Sequence, residues 1–250
     1  MFDLADKKIV VTGAAQGNGE AIARGLSSMG ATVILADLNQ EKLNAVKADL
    51  EQQGRTVFAY LLNVADPENC VTFAAQVQKD VGDIDVLVNN AGILRRSNLE
   101  SESWMKDLDD TLSINVKGSY YLVHAFIDAL KNTQGNIVNV ASIQSFVAAT
   151  TATSYAISKG AVAQMTKTLA AELAKYGIRV NAIAPGVIET PMTEFTRANQ
   201  NILDGYLRHV PMSRTGKPQE LVGPVVFLCS NAASYVTGCI LPIDGGYLTV

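Results

Sequence analysis

The chain has 250 residues, 48% of them hydrophobic, and a formal net charge of −4 with acids and bases interleaved along its length. That length fits one α/β domain over residues 1–250, large enough to need no disulfide or metal staple. No basic stripe marks a nucleic-acid footprint, no apolar run reaches the ~20 residues of a membrane span, and the amino end lacks the regions of a secretion signal. A cytoplasmic protein without nucleic-acid or membrane partners is therefore expected.

A β-rich run over 7–12 leads into Thr12-Gly13-Ala14-Ala15-Gln16-Gly17-Asn18-Gly19 and a helix over 17–29. A helix amino terminus offers free N–H groups and partial positive charge to a pyrophosphate, and glycines let the backbone come close to it. The spacing Gly-x3-Gly-x-Gly departs from GxGxxG, so alone it also fits a plain turn and cap. A strand over 31–36 then brings Asp37 about 20 residues beyond the loop, where dinucleotide-binding sheets place a ribose-binding acid. A carboxylate there accepts ribose hydroxyls and repels a 2′-phosphate, and no Arg or Lys lies in the glycine loop or in Leu38-Asn39-Gln40 to neutralise one. NAD(H) is therefore expected as the cofactor, with an N-cap role for Asp37 compatible with it.

A helix over 41–53 and a strand over 56–62 follow. Asn63 and Val64 end that strand, where an amide either bonds an adenine edge or simply makes a turn. Asp66 caps a helix over 67–81. A strand over 84–88 ends in Asn89-Asn90-Ala91-Gly92, small enough for a cofactor to pass close by. One long helix is expected over 104–130, with Asn115 on its mostly apolar face, as a satisfied core amide or as a ligand of active-site water. A strand over 136–141 ends at Ser142. A helix over 153–176, closed by Gly177, carries Tyr155 in its first turn and Lys159 four residues on, on the same face. Then come a strand over 178–184, a break at Pro185-Gly186, a polar and mobile flap at about 190–210 helical over about 193–209, a helix over 220–230 and a strand over 240–243.

The strand runs are continuous rather than alternating, as in strands covered on both faces. Their alternation with helices predicts a doubly wound parallel sheet, with ligands outside the carboxyl ends of its strands. Every motif above falls at such an end. A lone YxxxK is a weak signal. Here its helix is small and apolar, Ser142 stands 13 residues upstream at a strand end, and the glycine loop is present. A nearby ammonium and the positive helix end favour the phenolate of Tyr155, so Tyr155 is the expected proton donor or acceptor and Ser142 the group that polarises a carbonyl oxygen. Side chains do not supply a hydride, so the nicotinamide must. His124 and His209 form no pair, Cys70, Cys229 and Cys239 read as free thiols, and no cluster has zinc spacing, so no metal is expected.

With Thr12-Gly13-x3-Gly17-x-Gly19, Asn89-Asn90-Ala91-Gly92, Asn115, Ser142, Tyr155-x3-Lys159 and Pro185-Gly186 in order, the chain resembles the short-chain dehydrogenase/reductase family in its roughly 250-residue branch. Asn63 stands where the family has Asp, and Asn18 where it has Ile or Leu. The resemblance implies a Rossmann-like, seven-stranded sheet with helices on both faces, and an NAD-dependent enzyme acting on CH–OH groups. It implies Tyr155 as acid/base and Ser142 as substrate-orienting. Lys159 would lower the Tyr155 pKa and bond the nicotinamide ribose, and Asn115 would hold a relay water. Cofactor contacts would come from Gly13, Gln16, Asn18, Gly19, Asp37, Leu38, Asn63, Val64, Asn90, Ala91, Gly92, Tyr155, Lys159, Pro185, Gly186, Ile188 and Thr190. A homotetramer is implied, built on the 154–174 helix, the helix before it and the last strand.

Substrate contacts are expected from Leu94, Arg95, Gln144, Ala149 and Val187, with Arg95 and Arg96 inviting a carboxylate or phosphate. That lining suggests a small polar alcohol or its ketone: a sugar, polyol or hydroxy acid. The rivals are a 3-oxoacyl-thioester ketoreductase of the same family and a non-catalytic NAD-binding regulator.

Overall fold

The computed structural model describes residues 2–97, 99–148 and 151–250. Seven strands, β1 (Lys8–Thr12), β2 (Thr32–Asp37), β3 (Val57–Leu61), β4 (Val86–Asn89), β5 (Asn136–Val140), β6 (Arg179–Pro185) and β7 (Ile240–Ile243), form one sheet in the order β3-β2-β1-β4-β5-β6-β7. Every neighbouring pair is parallel, so each connection must cross over the sheet. The order reverses between β1 and β4, and the crevice above that reversal is where such sheets bind ligands.

Successive residues of a strand face opposite sides of the sheet, and both sides are dry. Ile9 and Val11 of β1 pack with Ile22 and Leu26 of α1 (Gly17–Ser28), Leu43 and Val46 of α2 (Gln40–Gln52) and Val225 and Leu228 far along the chain. Val10 of the same strand joins Ile34, Leu87 and Ile137 against Phe73 and Val77 of α3 (Pro67–Asp80). Each such side chain, fully buried, is worth roughly 1.5–3 kcal/mol. Pro67 opens α3, and the expected Asp66 cap is present, its carboxylate accepting from the N–H groups of Glu68 and Asn69.

The single long helix expected over 104–130 is instead broken twice. It runs as α4 (Trp104–Leu112), a π-helical turn (Ser113–Gly118), α5 (Ser119–Ala125) and α6 (Ile127–Thr133). The π turn bulges the backbone where Asn115 is buried, a distortion that recurs at functional sites. Gly118 closes it against β3's exit: a Cβ there would lie 2.9 Å from the Val64 side chain. The second break falls at Phe126, whose ring packs edge-on against Phe73 at 5.6 Å while its backbone leaves helical values (φ −102°, ψ 6°).

The next helix, α7 (Thr153–Leu173), ends in a tighter turn and then at Gly177, left-handed at φ +75°. The flap also differs from one helix. It is α8 (Glu194–Ala198) and α9 (Gln200–Leu207), divided at Asn199, whose side chain leaves the helical path to cap α9 by accepting from the Ile202 N–H. The last helix is α10 (Val222–Cys229).

Candidate active site

At the sheet's reversal the ends of β1 and β4 are laced together. Thr12 Oγ1 accepts from the N–H groups of Asn90 and Ala91, both at 3.0 Å, and Asn90 Nδ2 donates to the Thr12 carbonyl at 2.8 Å. The glycine loop lies against this junction. Gly13 and Gly17 adopt φ +64° and +59°, which L side chains rarely take. Gly19 is tighter still: a Cβ there would stand 2.0 Å from the Gly13 carbonyl oxygen. The loop feeds straight into the free N–H groups of α1.

Asp37 closes β2 beside the loop. One carboxylate oxygen accepts from Ala15 N–H at 3.1 Å and the other from Asn39 N–H at 2.9 Å, leaving each a lone pair for ribose hydroxyls. Asn63 makes the turn that its residue type allows, its oxygen accepting from Ala65 N–H at 3.1 Å.

A cleft of about 300 Å³ runs over these strand ends. Every expected cofactor-contacting residue lines it, from Gly13, Gln16 and Asp37 at one end to Tyr155, Lys159, Pro185, Gly186, Ile188 and Thr190 at the other. The lining fits an extended dinucleotide. It has an anion-binding helix terminus, a backbone cradle that a Cβ would fill, and a buried Asn18 Oδ1 that lacks a donor.

Ser142, Tyr155 and Lys159 meet at the far end of the same cleft. The Lys159 ammonium donates to the Val140 carbonyl at 2.6 Å and stands 5.5 Å from the Tyr155 ring centre. Burial pushes the Tyr155 phenol up to about 12, against the opposing pull of a hydrogen bond with Ser142. Burial also pulls Lys159 down to about 8. The ordering differs from the simple expectation of a phenol made acidic by its neighbour. Desolvation raises the phenol and lowers the ammonium, which donates to a strand carbonyl, so the first proton leaves from the lysine end of the pair.

Asn115 lies just behind, reached through the π turn. Its Oδ1 accepts from Ile93 N–H at 2.8 Å, and its Nδ2 donates to the Ile93 carbonyl and to Ser158 Oγ, both at 3.0 Å. Ser158 Oγ in turn donates to the Tyr155 carbonyl at 2.7 Å. Asn115 thus ties the loop after β4 to the first turn of α7. A Cβ on Gly92 would sit 3.1 Å from Asn115 Oδ1 and 3.7 Å from Lys159 Nζ, so that glycine keeps the space between them open.

The substrate residues converge less well. Ile93 lines the cleft, but Leu94 and Arg95 do not. Arg95 is half exposed and drawn toward Asp107 and Asp110 at 3.9 and 4.0 Å. Arg96 instead donates to Thr196 of α8 at 2.6 Å and lies 4.9 Å over the Phe195 ring, in no ion pair among the described residues. Gln144 keeps its backbone on Ser142 Oγ, while its Oε1 is buried without a partner. Val187 lines a second cavity of about 100 Å³, its N–H donating to Tyr206 Oη at 2.9 Å. Ala149 lies outside the described residues. Among the described residues no metal-ligating cluster occurs.

Three features escape a reading of the sequence. Asn89 Nδ2 donates to Asn139 Oδ1 at 3.0 Å, and Asn139 Nδ2 donates to Thr166 Oγ1 at 2.9 Å, a buried ladder from β4 through β5 to α7. Ser158 is the second. The third is Lys42, whose ammonium donates to Gln16 Oε1 at 2.7 Å on the glycine loop. Asn139 stands in register with Asn89, a pairing readable only once strand order is known.

Comparison with known proteins gives a consistent picture. The family model described as enoyl-(acyl carrier protein) reductase matches residues 13–248. The gluconate 5-dehydrogenase of Gluconobacter oxydans is 37% identical over 98% of this chain and 96% of its own. A 3-oxoacyl-[acyl-carrier-protein] reductase of Thermotoga maritima is 40% identical over 97% of this chain and 98% of its own. A gluconate 5-dehydrogenase from Burkholderia cenocepacia, solved in complex with NADP and tartrate, superposes with a TM-score of 0.96 at 32% identity, covering 100% of this chain and 98% of that one.

Proposed function

The chain belongs to the short-chain dehydrogenase/reductase family, a family of oxidoreductases acting on CH–OH groups, and from its site we propose that it interconverts a secondary alcohol and a ketone on a sugar acid, preferring NAD(H). The observation that carries this reading is the meeting of Ser142, Tyr155 and Lys159 at one end of a cleft whose other end is the glycine loop and Asp37. A bound nicotinamide dinucleotide supplies or takes up the hydride. Tyr155 gives a proton to the carbonyl oxygen in reduction and receives one from the alcohol in oxidation. Ser142 Oγ holds the same oxygen. Lys159, which gives up its proton before the phenol does, takes up the proton that Tyr155 passes on in oxidation, and Asn115 Oδ1 faces Lys159 across Gly92, where a water relays protons. Asp37 favours NAD(H) by repelling a 2′-phosphate.

The sugar-acid reading draws on the gluconate enzymes and on Arg96. Among the described residues no carboxylate pairs with its guanidinium, which sits between the loop after β4 and the flap, suited to a substrate carboxylate. Arg95 is partly satisfied by two aspartates. Absorbance of NADH should therefore rise when the protein meets an aldonate or a deoxy-ketoaldonate and NAD+, and stay flat with simple aliphatic alcohols. A 3-oxoacyl thioester belongs in the same assay because of the 40% identical reductase; faster turnover of it than of any sugar acid would reverse the assignment.

Half-exposed apolar side chains on α4, α5 and α7, namely Trp104, Met105, Tyr120 and Ile157 (43–56% accessible), support a homotetramer. Sedimentation of a monomer would refute it. No helix among the described residues is long and apolar enough to cross a membrane.

A further inference from the structure

One phenol fastens the flap to the wall of the cleft. Tyr206, near the end of α9, brings its Oη to the segment that follows β6, where it accepts from Val187 N–H at 2.9 Å. The same oxygen presses on Gly186, for a Cβ there would stand 2.4 Å from it. Gly186 and Ile188, on either side of Val187, both line the large cleft, while Val187 and Tyr206 line the smaller cavity behind it. The phenol therefore meets the cleft wall from its back.

The rest of that wall is held by backbone. Gly186 N–H donates to the Ile243 carbonyl at 3.0 Å, Glu189 N–H donates to the Gly216 carbonyl at 2.9 Å, and the Val187 carbonyl accepts from Gly216 N–H at 3.0 Å. Between these ties the Val187 N–H depends on a side chain of the flap. That side chain is itself braced. Its ring stacks on Tyr247 with centroids 5.0 Å apart and planes 15° from parallel, and Tyr247 meets His209 edge-on at 5.8 Å. A ring fixed by stacking imposes its place on the loop it bonds. Without the hydroxyl the half-buried N–H would lose its partner, and the wall would shift to find another. Hydride transfer is sensitive to such shifts, since a misplacement of about 1 Å costs on the order of 10²-fold.

We infer that Tyr206 is a positioning residue that acts through Val187, fixing the 186–188 wall from outside the cleft and so seating the nicotinamide half of the dinucleotide. The inference rests on the dinucleotide reading of the cleft.

Titration calorimetry of NADH and of ADP-ribose, which lacks the nicotinamide, tests it. Tyr206→Phe keeps the ring and removes only the oxygen. It should weaken NADH about tenfold, the scale of one hydrogen bond, and leave ADP-ribose within about twofold of wild type. A merely structural role would move both ligands together. Gly186→Ala approaches the same contact from the other side, because its methyl must drive the hydroxyl away, and it should give the same split. The double variant should bind NADH no more weakly than Tyr206→Phe alone, since the ring without its oxygen leaves room for the methyl. Tyr206→Phe binding NADH like wild type, either variant losing both ligands alike, or a double variant weaker than both single ones would overturn the role of Tyr206. Should Tyr206→Phe fail to fold, Gly186→Ala decides: an equal loss of both ligands, or of neither, would overturn the role. Failure of wild type to bind NADH would instead overturn the cofactor reading itself.

Discussion

The two halves of the cleft are built differently. The cofactor half is made of strand ends and backbone: glycines at positive φ, a threonine bridging β1 to β4, and N–H groups of α1. The other half, the proposed substrate end, is lined by side chains from several elements, among them Ile93 after β4, Ser142 after β5 and Met192 and Thr193 just before α8. Backbone geometry leaves few solutions, and each leaves a mark in the sequence. Side-chain lining leaves many, and so the first half is readable where the second is not.

Tyr155→Phe, at the boundary of the halves, should give the largest effect. Removing the acid/base hydroxyl should lower turnover by about 10²–10⁴-fold with little change in NADH affinity measured by calorimetry. Retained turnover would deny the phenol its role.

Within the cofactor half, Gly19→Ala should be next. The added methyl meets the Gly13 carbonyl at 2.0 Å and Asn90 Nδ2 at 2.4 Å, an overpacking of about 1–3 kcal/mol that must move the loop. Cofactor affinity should fall at least about tenfold. The substrate half should respond by charge rather than by fit. Arg96→Ala should raise KM for an acidic substrate by about tenfold and leave that for a neutral polyol within about twofold. Arg95→Ala should do neither. Equal effects from the two arginines would dissolve the distinction drawn from their partners.

The smallest functional effect belongs to the ladder beneath both halves. Asn139→Ala strips the partner from buried Asn89 Nδ2, at a cost of about 1–3 kcal/mol, and takes a donor from Thr166 Oγ1, which keeps its bond to the Val162 carbonyl. Thermal unfolding should begin several degrees lower while KM for cofactor and substrate holds.

Legibility followed the same division. The doubly wound parallel sheet, the glycine loop, Asp37, and Tyr155 with Lys159 were readable because hydrophobic runs and special-φ residues report the backbone directly, whereas the order of the strands was not. The π turn at Asn115 was not, since Ser113-Ile114-Asn115-Val116-Lys117-Gly118 holds no proline and the distortion is imposed from outside, by the bonds of Asn115 to Ile93 and Ser158. The split of the flap at Asn199 could have been seen from an N-cap residue followed by helix formers. Lys42 on Gln16 and Arg96 on Thr196 are contacts across 26 and 100 residues, and no local pattern announces such distances.

The pairing of Tyr155 with Lys159 also has a signature in stability. Lys159 is held near 8 against an ordinary 10.5, so the unfolded chain binds the extra proton between those values and stability rises with pH across them. Tyr155, held near 12 against 10, works the opposite way above pH 10.

The most direct test of the proton-handling pair is the pH dependence of kcat/KM for alcohol oxidation in wild type and Lys159→Arg. An alkaline-rising limb should break near pH 8 in the wild type, where the pair gives up its first proton. That limb should vanish in the arginine variant, whose guanidinium keeps its charge. A wild-type profile flat from pH 6 to 10, or a limb unchanged by Lys159→Arg, would contradict the mechanism.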